Sequence, residues 1–256
     1  MLRLTLLLTL AALACHAAPR SDDEAAEHLY RSVIIADYET ALSQSKELEK
    51  ERRGNVISKT VDKLLDQDKQ KVIYYAYYLW NHNAQEIVKN DFPIQFRIIF
   101  GQLTAKVINK KFGMKLKVGL KTDSDGDRTV YSVSTENDIG ERASWEFKFH
   151  EASDKKVYFK IYNPHANQFL KIGTYSDGYQ DHLIYTSTNS DTFRHQWYLQ
   201  PVVVNKEILF YIINRENSDL LKLAQSPDSD GDRQAYTHGE DSSGAPERFG
   251  WKIERD

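Results

Sequence analysis

Two identical acidic hexapeptides are the first candidates for chemistry in this sequence. Residues 123–128 and 228–233 both read DSDGDR. Alternating aspartates offer oxygen ligands at the first, third and fifth positions, as a calcium-binding EF-hand loop does. That loop also needs Gly at position 6 and Glu at position 12, but the first copy has Arg128 and Ser134 there. We therefore interpret the hexapeptides as matched turns between strands, and we predict neither a metal site nor a cofactor.

A second polar cluster, between the two hexapeptides, has the side chains of a carbohydrate site. Its members are Asp177, Tyr179, Asp181 and His182. A sugar site needs an aromatic ring beside a few fixed polar groups, and this cluster contains both. The alternative, which we favour, is an ordinary polar turn. The four residues are the candidate carbohydrate-binding site, with glycans as the corresponding partner.

An aromatic stretch, IYYAYYLW at residues 73–80, is the third candidate. It is apolar nearly all round, which is typical of a helix in the centre of a bundle. A pocket for lipid or another small apolar ligand between helices is the functional alternative. We favour the bundle core, since tyrosines can bury their rings and keep their hydroxyls in water. The candidate lipid-contacting residues are Tyr74, Tyr77, Tyr78 and Trp80.

Motifs for catalysis are missing from the sequence. There is no His-Glu-x-x-His pair for zinc, no P-loop, no dinucleotide fingerprint and no Gly-x-Ser-x-Gly elbow. The only cysteine, Cys15, lies in a predicted signal peptide, so the mature chain has no thiol nucleophile. We predict that the protein is not an enzyme.

Three copies of one unit of roughly 50 residues make up the C-terminal half. Equivalent markers recur at spacings of 51–54 residues. They are the triplets Val107–Asn109, Ile161–Asn163 and Ile212–Asn214, the tyrosines Tyr131, Tyr185 and Tyr236, and the tryptophans Trp145, Trp197 and Trp251. The units contain alternating strand patterns and Asp-Gly turns. Three units are too few for a propeller, and the pattern resembles a β-trefoil.

The trefoil interpretation allows a direct test for a lectin. Ricin-type lectins use an Asp after the second strand of each unit and a Gln two residues before the Trp. The first position aligns here with Lys117, Lys171 and Lys222, and the second with Ala143, His195 and Phe249. Because no unit carries the pair, ricin-type galactose recognition is not expected. The cluster of the second unit is the weaker alternative.

The N-terminus has the pattern of a secretory signal peptide. Arg3 precedes an apolar run that is too short to span a membrane, and small residues at positions 15 and 17 favour cleavage after Ala17. We therefore expect a secreted, extracellular protein. With 34 basic and 37 acidic residues, the net charge is −3, which gives no electrostatic basis for binding nucleic acid.

Residues 22–103 have helical periodicity throughout. We predict helices at 22–53, 56–65 and 71–88, and a fourth that begins at Pro93. The fourth helix ends at Gly101 or at Gly113, and the repeat spacing favours Gly101. The predicted fold is α+β: an all-α helical bundle at 18–101, after the signal peptide at 1–17, packed on a three-repeat β-trefoil at 102–256.

Several long stretches resemble the 30 kDa haemolymph lipoproteins of moths such as the silkworm. They are YRSVIIADY at 30–38, DFPIQFRIIF at 91–100, VYFKI at 157–161, FRHQWYLQP at 193–201 and LFYIINRE at 209–216. The resemblance covers essentially the whole chain. It implies a secreted, lipid-associated nutrient store of haemolymph and egg yolk without enzyme activity, built from a VHS-like helical half and a β-trefoil. The mature chain departs from this family in having no cysteine.

The expected role is therefore a non-enzymatic storage and carrier protein, and the rival is a lectin-like β-trefoil module, with immune recognition as one setting. Bulk lipid transport needs long amphipathic helices or a large apolar cavity. The only long amphipathic helix predicted, 22–53, has an apolar stripe that is broken by Thr40 and Ser45, and we expect the trefoil interior to be filled by its own side chains. We expect one or a few lipid molecules in a cleft beside the 74–80 helix or between the two halves. We also expect no stable membrane insertion, and a monomer or weak oligomer.

Overall fold

A computed structural model describes residues 21–153, 155–188, 191–239 and 245–256. The predicted signal peptide lies outside these residues. The described residues of the N-terminal half, from 21 onwards, form six helices. They are α1 (Asp22–Ile34), α2 (Tyr38–Lys50), α3 (Gly54–Gln67), α4 (Lys69–Asn81), α5 (Gln85–Asp91) and α6 (Ile94–Phe100).

Two of the predicted helices are each divided into two, so the predictions for 22–53 and 71–88 are wrong in extent. The first division falls at Ala36 and the second at Asn83, and both residues have left-handed backbones, with φ of 63° and 57°. Asp37 then starts α2, because its side chain accepts the backbone N–H of Thr40 at 3.2 Å. Neither Ala36 nor Asn83 is a glycine or proline, so the breaks carry no strong signal in the sequence.

The end of the last helix follows the favoured alternative. Helix α6 ends at Phe100 with Gly101 as its C-cap, and Gly113 lies in the turn between the first two strands. The first strand begins at Ala105. The division into domains at 101/102 stays a prediction.

Twelve antiparallel strands make up the sheet of the described C-terminal residues. They are β1 (Ala105–Asn109), β2 (Met114–Thr122), β3 (Arg128–Ser134), β4 (Glu146–Ser153), β5 (Lys156–Asn163), β6 (Gln168–Ser176), β7 (His182–Ser187), β8 (Trp197–Val204), β9 (Glu207–Asn214), β10 (Leu220–Leu223), β11 (Arg233–His238) and β12 (Gly250–Arg255). Short helical turns at Gly140–Ala143, Phe193–His195 and Pro246–Phe249 precede β4, β8 and β12.

The pairing of the strands produces a β-trefoil. Strands β1, β12, β9, β8, β5 and β4 pair in that order, and a bridge between Ala105 and Trp145 closes them into a six-stranded barrel. Strands β2–β3, β6–β7 and β10–β11 form three hairpins. The second strands of these hairpins also pair with one another. The predicted fold class is confirmed.

The three repeat tryptophans are equivalent. Trp145, Trp197 and Trp251 have no exposed surface. Each indole N–H donates to a leucine carbonyl of its own unit, at 3.0, 3.0 and 2.9 Å respectively. Burying an indole requires such a partner for its N–H, and the repeated leucines at 116, 170 and 221 supply it.

The helices pack on the barrel through α4 and α6. Phe96 meets Phe210 edge-on with ring centroids 6.0 Å apart, and Phe100 meets Phe159 at 5.8 Å. One continuous hydrophobic cluster therefore includes residues of both halves. Among the described helices, none combines the length and apolar character needed to cross a membrane.

Candidate ligand sites of the trefoil and the helices

The three acidic turns between hairpin strands share one hydrogen-bond pattern. The first aspartate of each turn accepts the backbone N–H groups two and four residues later, at 2.8–3.0 Å. These aspartates are Asp123, Asp177 and Asp228. The bonds confirm that the hexapeptides are turns. Within the described ranges, no three His, Cys, Asp or Glu side chains lie close enough together to hold a metal ion.

The last aspartate of each turn pairs with a lysine of the next unit. The pairs are Asp127 with Lys171, Asp181 with Lys222, and Asp232 with Lys117. The lysine side chains are only 13, 5 and 9% exposed, respectively. These lysines occupy the positions at which ricin-type lectins have aspartate, so in this chain those positions hold the three units together.

The turn of the second unit contains the predicted carbohydrate cluster, but most of that cluster is engaged within the protein. Asp177 accepts two backbone N–H groups, which lower the pKa of its carboxyl group. Asp181 contacts both Lys222, at 2.8 Å, and His238. His182 is half-buried, and its Nδ1 has no partner among the described residues. Of the four predicted residues, only Tyr179 presents a largely free side chain.

A second exposed tyrosine beside this turn was missed by the sequence reasoning. Tyr175 is 87% exposed and Tyr179 is 82% exposed. In the first and third units, the positions equivalent to Tyr175 are Lys121 and Ser226, and those equivalent to Tyr179 are aspartates. Comparison of the repeats could have identified Tyr175, because both tyrosines break the three-fold pattern.

His195 is another residue that differs between the units. It is 4% exposed, and its two ring nitrogens contact Ser187 Oγ at 2.8 Å and Thr192 Oγ1 at 3.0 Å. Burial, with nearby Lys171 and Arg194, lowers the pKa of His195 to about 4. A neutral histidine is therefore part of the folded barrel near pH 7.

The tyrosines of α4 form an aromatic cluster with residues on other elements. Tyr74 lies 4.8 Å from the Tyr38 ring and 5.5 Å from Tyr77, and Tyr77 stacks on Phe149 of β4 at 5.1 Å. Tyr78 lies 5.6 Å from Tyr38. Burial, followed by the neighbouring Tyr74, raises the pKa of Tyr38 to about 12. Three of the four predicted lipid-contacting residues therefore lie together.

Trp80, the fourth predicted lipid-contacting residue, lies elsewhere on the helix. Its ring contacts Phe100 of α6, with centroids 6.1 Å apart, and Lys89 of α5 lies over it at 5.8 Å. It therefore belongs to the packing between α4, α5 and α6. The sequence could not show this, because α5 was predicted as a continuation of α4.

A cleft of about 300 Å³ separates the first turns of α4 from the barrel. We call it the α4–β8 cleft. The helical wall consists of Gln70, Lys71, Ile73 and Tyr74, and the barrel wall of Lys155, Lys156, Val157, Tyr198, Leu199 and Gln200. Of the predicted lipid-contacting residues, only Tyr74 borders it. The barrel wall was missed because nothing in the linear sequence relates β5 and β8 to α4.

Residues 23–255 match the family model described as lepidopteran low molecular weight (30 kD) lipoprotein. The chain belongs to this family. Microvitellogenin of Manduca sexta is 44% identical, with the match covering 99% of each chain. The low molecular mass lipoprotein PBMHP-6 of Bombyx mori is 37% identical, over 98% of this chain and 99% of the relative. The family resemblance stated from the sequence is confirmed, and these names describe lipoproteins rather than enzymes.

Solved structures similar to this chain match about three-fifths of it. The designed three-fold symmetric protein ThreeFoil is 18% identical, with a TM-score of 0.45, and the match covers 60% of this chain and 98% of that one. The SDF2-like protein of Arabidopsis thaliana is 12% identical, with a TM-score of 0.49, over 59% of this chain and 91% of that one.

The two regions of this lipoprotein differ in what they offer a ligand. The turn of the second unit presents two exposed rings, Tyr175 and Tyr179, beside aspartates that are engaged within the protein. The α4–β8 cleft is concave and is lined by the partly exposed rings of Tyr74 and Tyr198 together with polar side chains. Small-molecule sites are concave and combine apolar surface with polar groups, so the cleft is the better candidate.

Proposed function

We propose that the protein is a secreted, non-enzymatic storage and carrier protein of haemolymph and egg, and that it binds one or a few lipid molecules in the α4–β8 cleft. The observation that carries the proposal is the cleft itself, in which the rings of Tyr74 from the helical half and Tyr198 from the barrel border one opening. Family membership supports association with lipid, and the name of the Manduca sexta relative, microvitellogenin, supports a role in yolk.

The small size of the cleft sets the proposed stoichiometry. A volume of about 300 Å³ lies at the lower end of the range for small-molecule sites. The barrel interior is filled by its own side chains, including the three tryptophans. The bound lipid is therefore removable without unfolding the protein, and the protein acts as a monomer or weak oligomer rather than as a lipid particle.

The test combines lipid counting with a variant that fills the cleft. Gln200→Trp adds bulk at the barrel wall, and Glu254→Trp adds the same ring at the equivalent position of the third unit, outside the cleft lining. Native mass spectrometry after incubation with lipid should show one or a few molecules on the wild type and on Glu254→Trp, but none on Gln200→Trp. Recovery of tens of lipids, or loss of helical circular dichroism on delipidation, would reject the proposal.

A glycan-binding surface at the second turn is the second candidate function. The exposure of both Tyr175 and Tyr179 favours it, since sugar rings stack on exposed aromatic side chains. The matched variant is Tyr175→Ser with Tyr179→Asp, which installs the residues of the third unit at both positions. Saturable binding on a glycan array that this double variant abolishes would support the lectin alternative, whereas binding to neither protein would exclude it.

A further inference from the structure

The charged side chains that line the α4–β8 cleft indicate which class of lipid it binds. Three lysines line the cleft: Lys71 on α4, Lys155 in the turn before β5, and Lys156 at the start of β5. No Asp or Glu is among the described lining residues. This is a local excess of positive charge on a protein whose net charge is −3. A cleft lined by one sign of charge concentrates ligands of the opposite sign.

These lysines have no acidic partner among the described residues. The ion pairs that the structure shows include many other lysines, such as Lys59 with Asp23 and Lys63 with Glu27 in the neighbouring helices, but none of the three at the cleft. Lysine ammonium groups are compact charges on flexible stems with three donors each. They are therefore available to an anionic group that enters the cleft.

The lysines share the cleft with two aromatic rings. The Lys156 ammonium group lies 4.8 Å from the centre of the Tyr198 ring. Lys71 lines the same cleft as the partly exposed ring of Tyr74 on α4. A ligand that satisfies both features has an anionic end and an apolar body, which is the chemistry of an ionised amphiphile.

The volume of the cleft selects among such amphiphiles. About 300 Å³ corresponds to roughly ten water molecules in the liquid. That space takes most of one acyl chain but not the two chains of a phospholipid. A carboxylate is also small enough to accept hydrogen bonds from two or three ammonium groups at once.

We propose that the α4–β8 cleft binds a single long-chain fatty acid, whose carboxylate is held by Lys71, Lys155 and Lys156 and whose chain lies between Tyr74 of α4 and Tyr198 of β8. This inference rests on the proposed function, because it names the class of lipid that the same cleft takes.

The experiment separates the contribution of the carboxylate to binding affinity from that of the alkyl chain. Binding of palmitate and of hexadecanol, which share the chain but not the carboxylate, is measured by titration calorimetry on the purified secreted protein after solvent extraction. The wild type should prefer palmitate by about tenfold, since three partly exposed charge contacts contribute of order 1–2 kcal/mol together. The preference should weaken with added salt.

The variants Lys71→Gln, Lys155→Gln and Lys156→Gln, combined in one protein, should bring the two affinities within about twofold of each other while hexadecanol binding stays unchanged. The matched control carries Lys50→Gln and Lys121→Gln, which remove exposed lysines outside the cleft lining, and it should keep the preference. Equal affinity of the wild type for both ligands, or an undiminished preference in the triple variant, would overturn the carboxylate assignment and leave the lipid cleft standing. Binding of neither ligand would overturn both.

Discussion

The trefoil half and the helical half of this lipoprotein use their polar side chains in different ways. In the trefoil, several polar contacts occur three times: the Trp–Leu hydrogen bonds, the Asp–Lys pairs and the hydrogen bonds of the turn aspartates. In the helical half, contacts such as Ser45–Tyr75 occur once. The repetition shows that these trefoil residues serve the fold. A position that departs from the repeat, such as Tyr179, is where a separate role is to be sought.

The tryptophans give the strongest test of equivalence between the units. Truncation of a fully buried Trp to Ala should lower the free energy of unfolding by about 3–5 kcal/mol. Because Trp145, Trp197 and Trp251 share burial and hydrogen bonding, the three losses should agree within about 1 kcal/mol. Urea unfolding followed by circular dichroism measures them. A variant with less than half the loss of the others would show that its unit is not equivalent.

The inter-unit ion pairs should show where the three-fold equivalence stops. Lys171→Met leaves Asp127 in a mostly buried position without its lysine, which should cost about 3 kcal/mol. Lys222→Met should cost less, because Asp181 keeps its contact with His238. Urea unfolding of both variants measures the difference. Equal losses for the two variants would mean that His238 does not compensate.

Because of His195, we expect the second unit to contribute a pH dependence of stability that the first and third units do not contribute at the equivalent position. Its pKa is about 4 in the folded protein, against an ordinary value of 6.5, so the unfolded chain binds the proton more tightly. The stability contributed by neutral His195 is therefore present above pH 6.5 and is lost as the pH falls towards 4, by up to about 3 kcal/mol.

The matched variant for this effect is His195→Gln, which keeps hydrogen-bonding groups but cannot titrate. Its free energy of unfolding should vary less than that of the wild type between pH 6.5 and pH 4. Thermal melts across this range measure the difference. Parallel pH profiles for the two proteins would show that the acid sensitivity arises elsewhere.

The smallest expected changes in stability come from two tyrosines of the helical half. The hydroxyl of one has a hydrogen-bond partner in the core, and the hydroxyl of the other has none among the described residues. The Tyr75 hydroxyl lies 2.6 Å from Ser45 Oγ in the core, so Tyr75→Phe should cost about 1 kcal/mol. The Tyr38 hydroxyl is buried without a partner among the described residues, so Tyr38→Phe should be neutral or slightly stabilising. Thermal melts of both variants test this, and a larger loss for Tyr38→Phe would reverse the assignment.

The contrast between the repeated trefoil and the unrepeated helical half also explains how much of the structure could be predicted from the sequence. The trefoil was predictable because each element appears three times, so Trp145, Trp197 and Trp251 confirm one another. The helix breaks were not, because Ala36 and Asn83 take left-handed backbones although neither residue is a glycine. The α4–β8 cleft was only partly predictable, since Tyr74 was identified but Val157 and Tyr198 come from distant strands that only the closed barrel brings to it.

The ring of Asp–Lys pairs also bears on how the protein is made. Lys117 of the first unit finds its partner in Asp232, a residue 115 positions later in the chain. During synthesis the first unit therefore emerges from the ribosome long before its lysine can be neutralised. A nascent chain that stops before residue 232 would keep Lys117 hydrated and the barrel open. Completion of the trefoil is thus expected to follow release of nearly the whole polypeptide, rather than to proceed one repeat at a time.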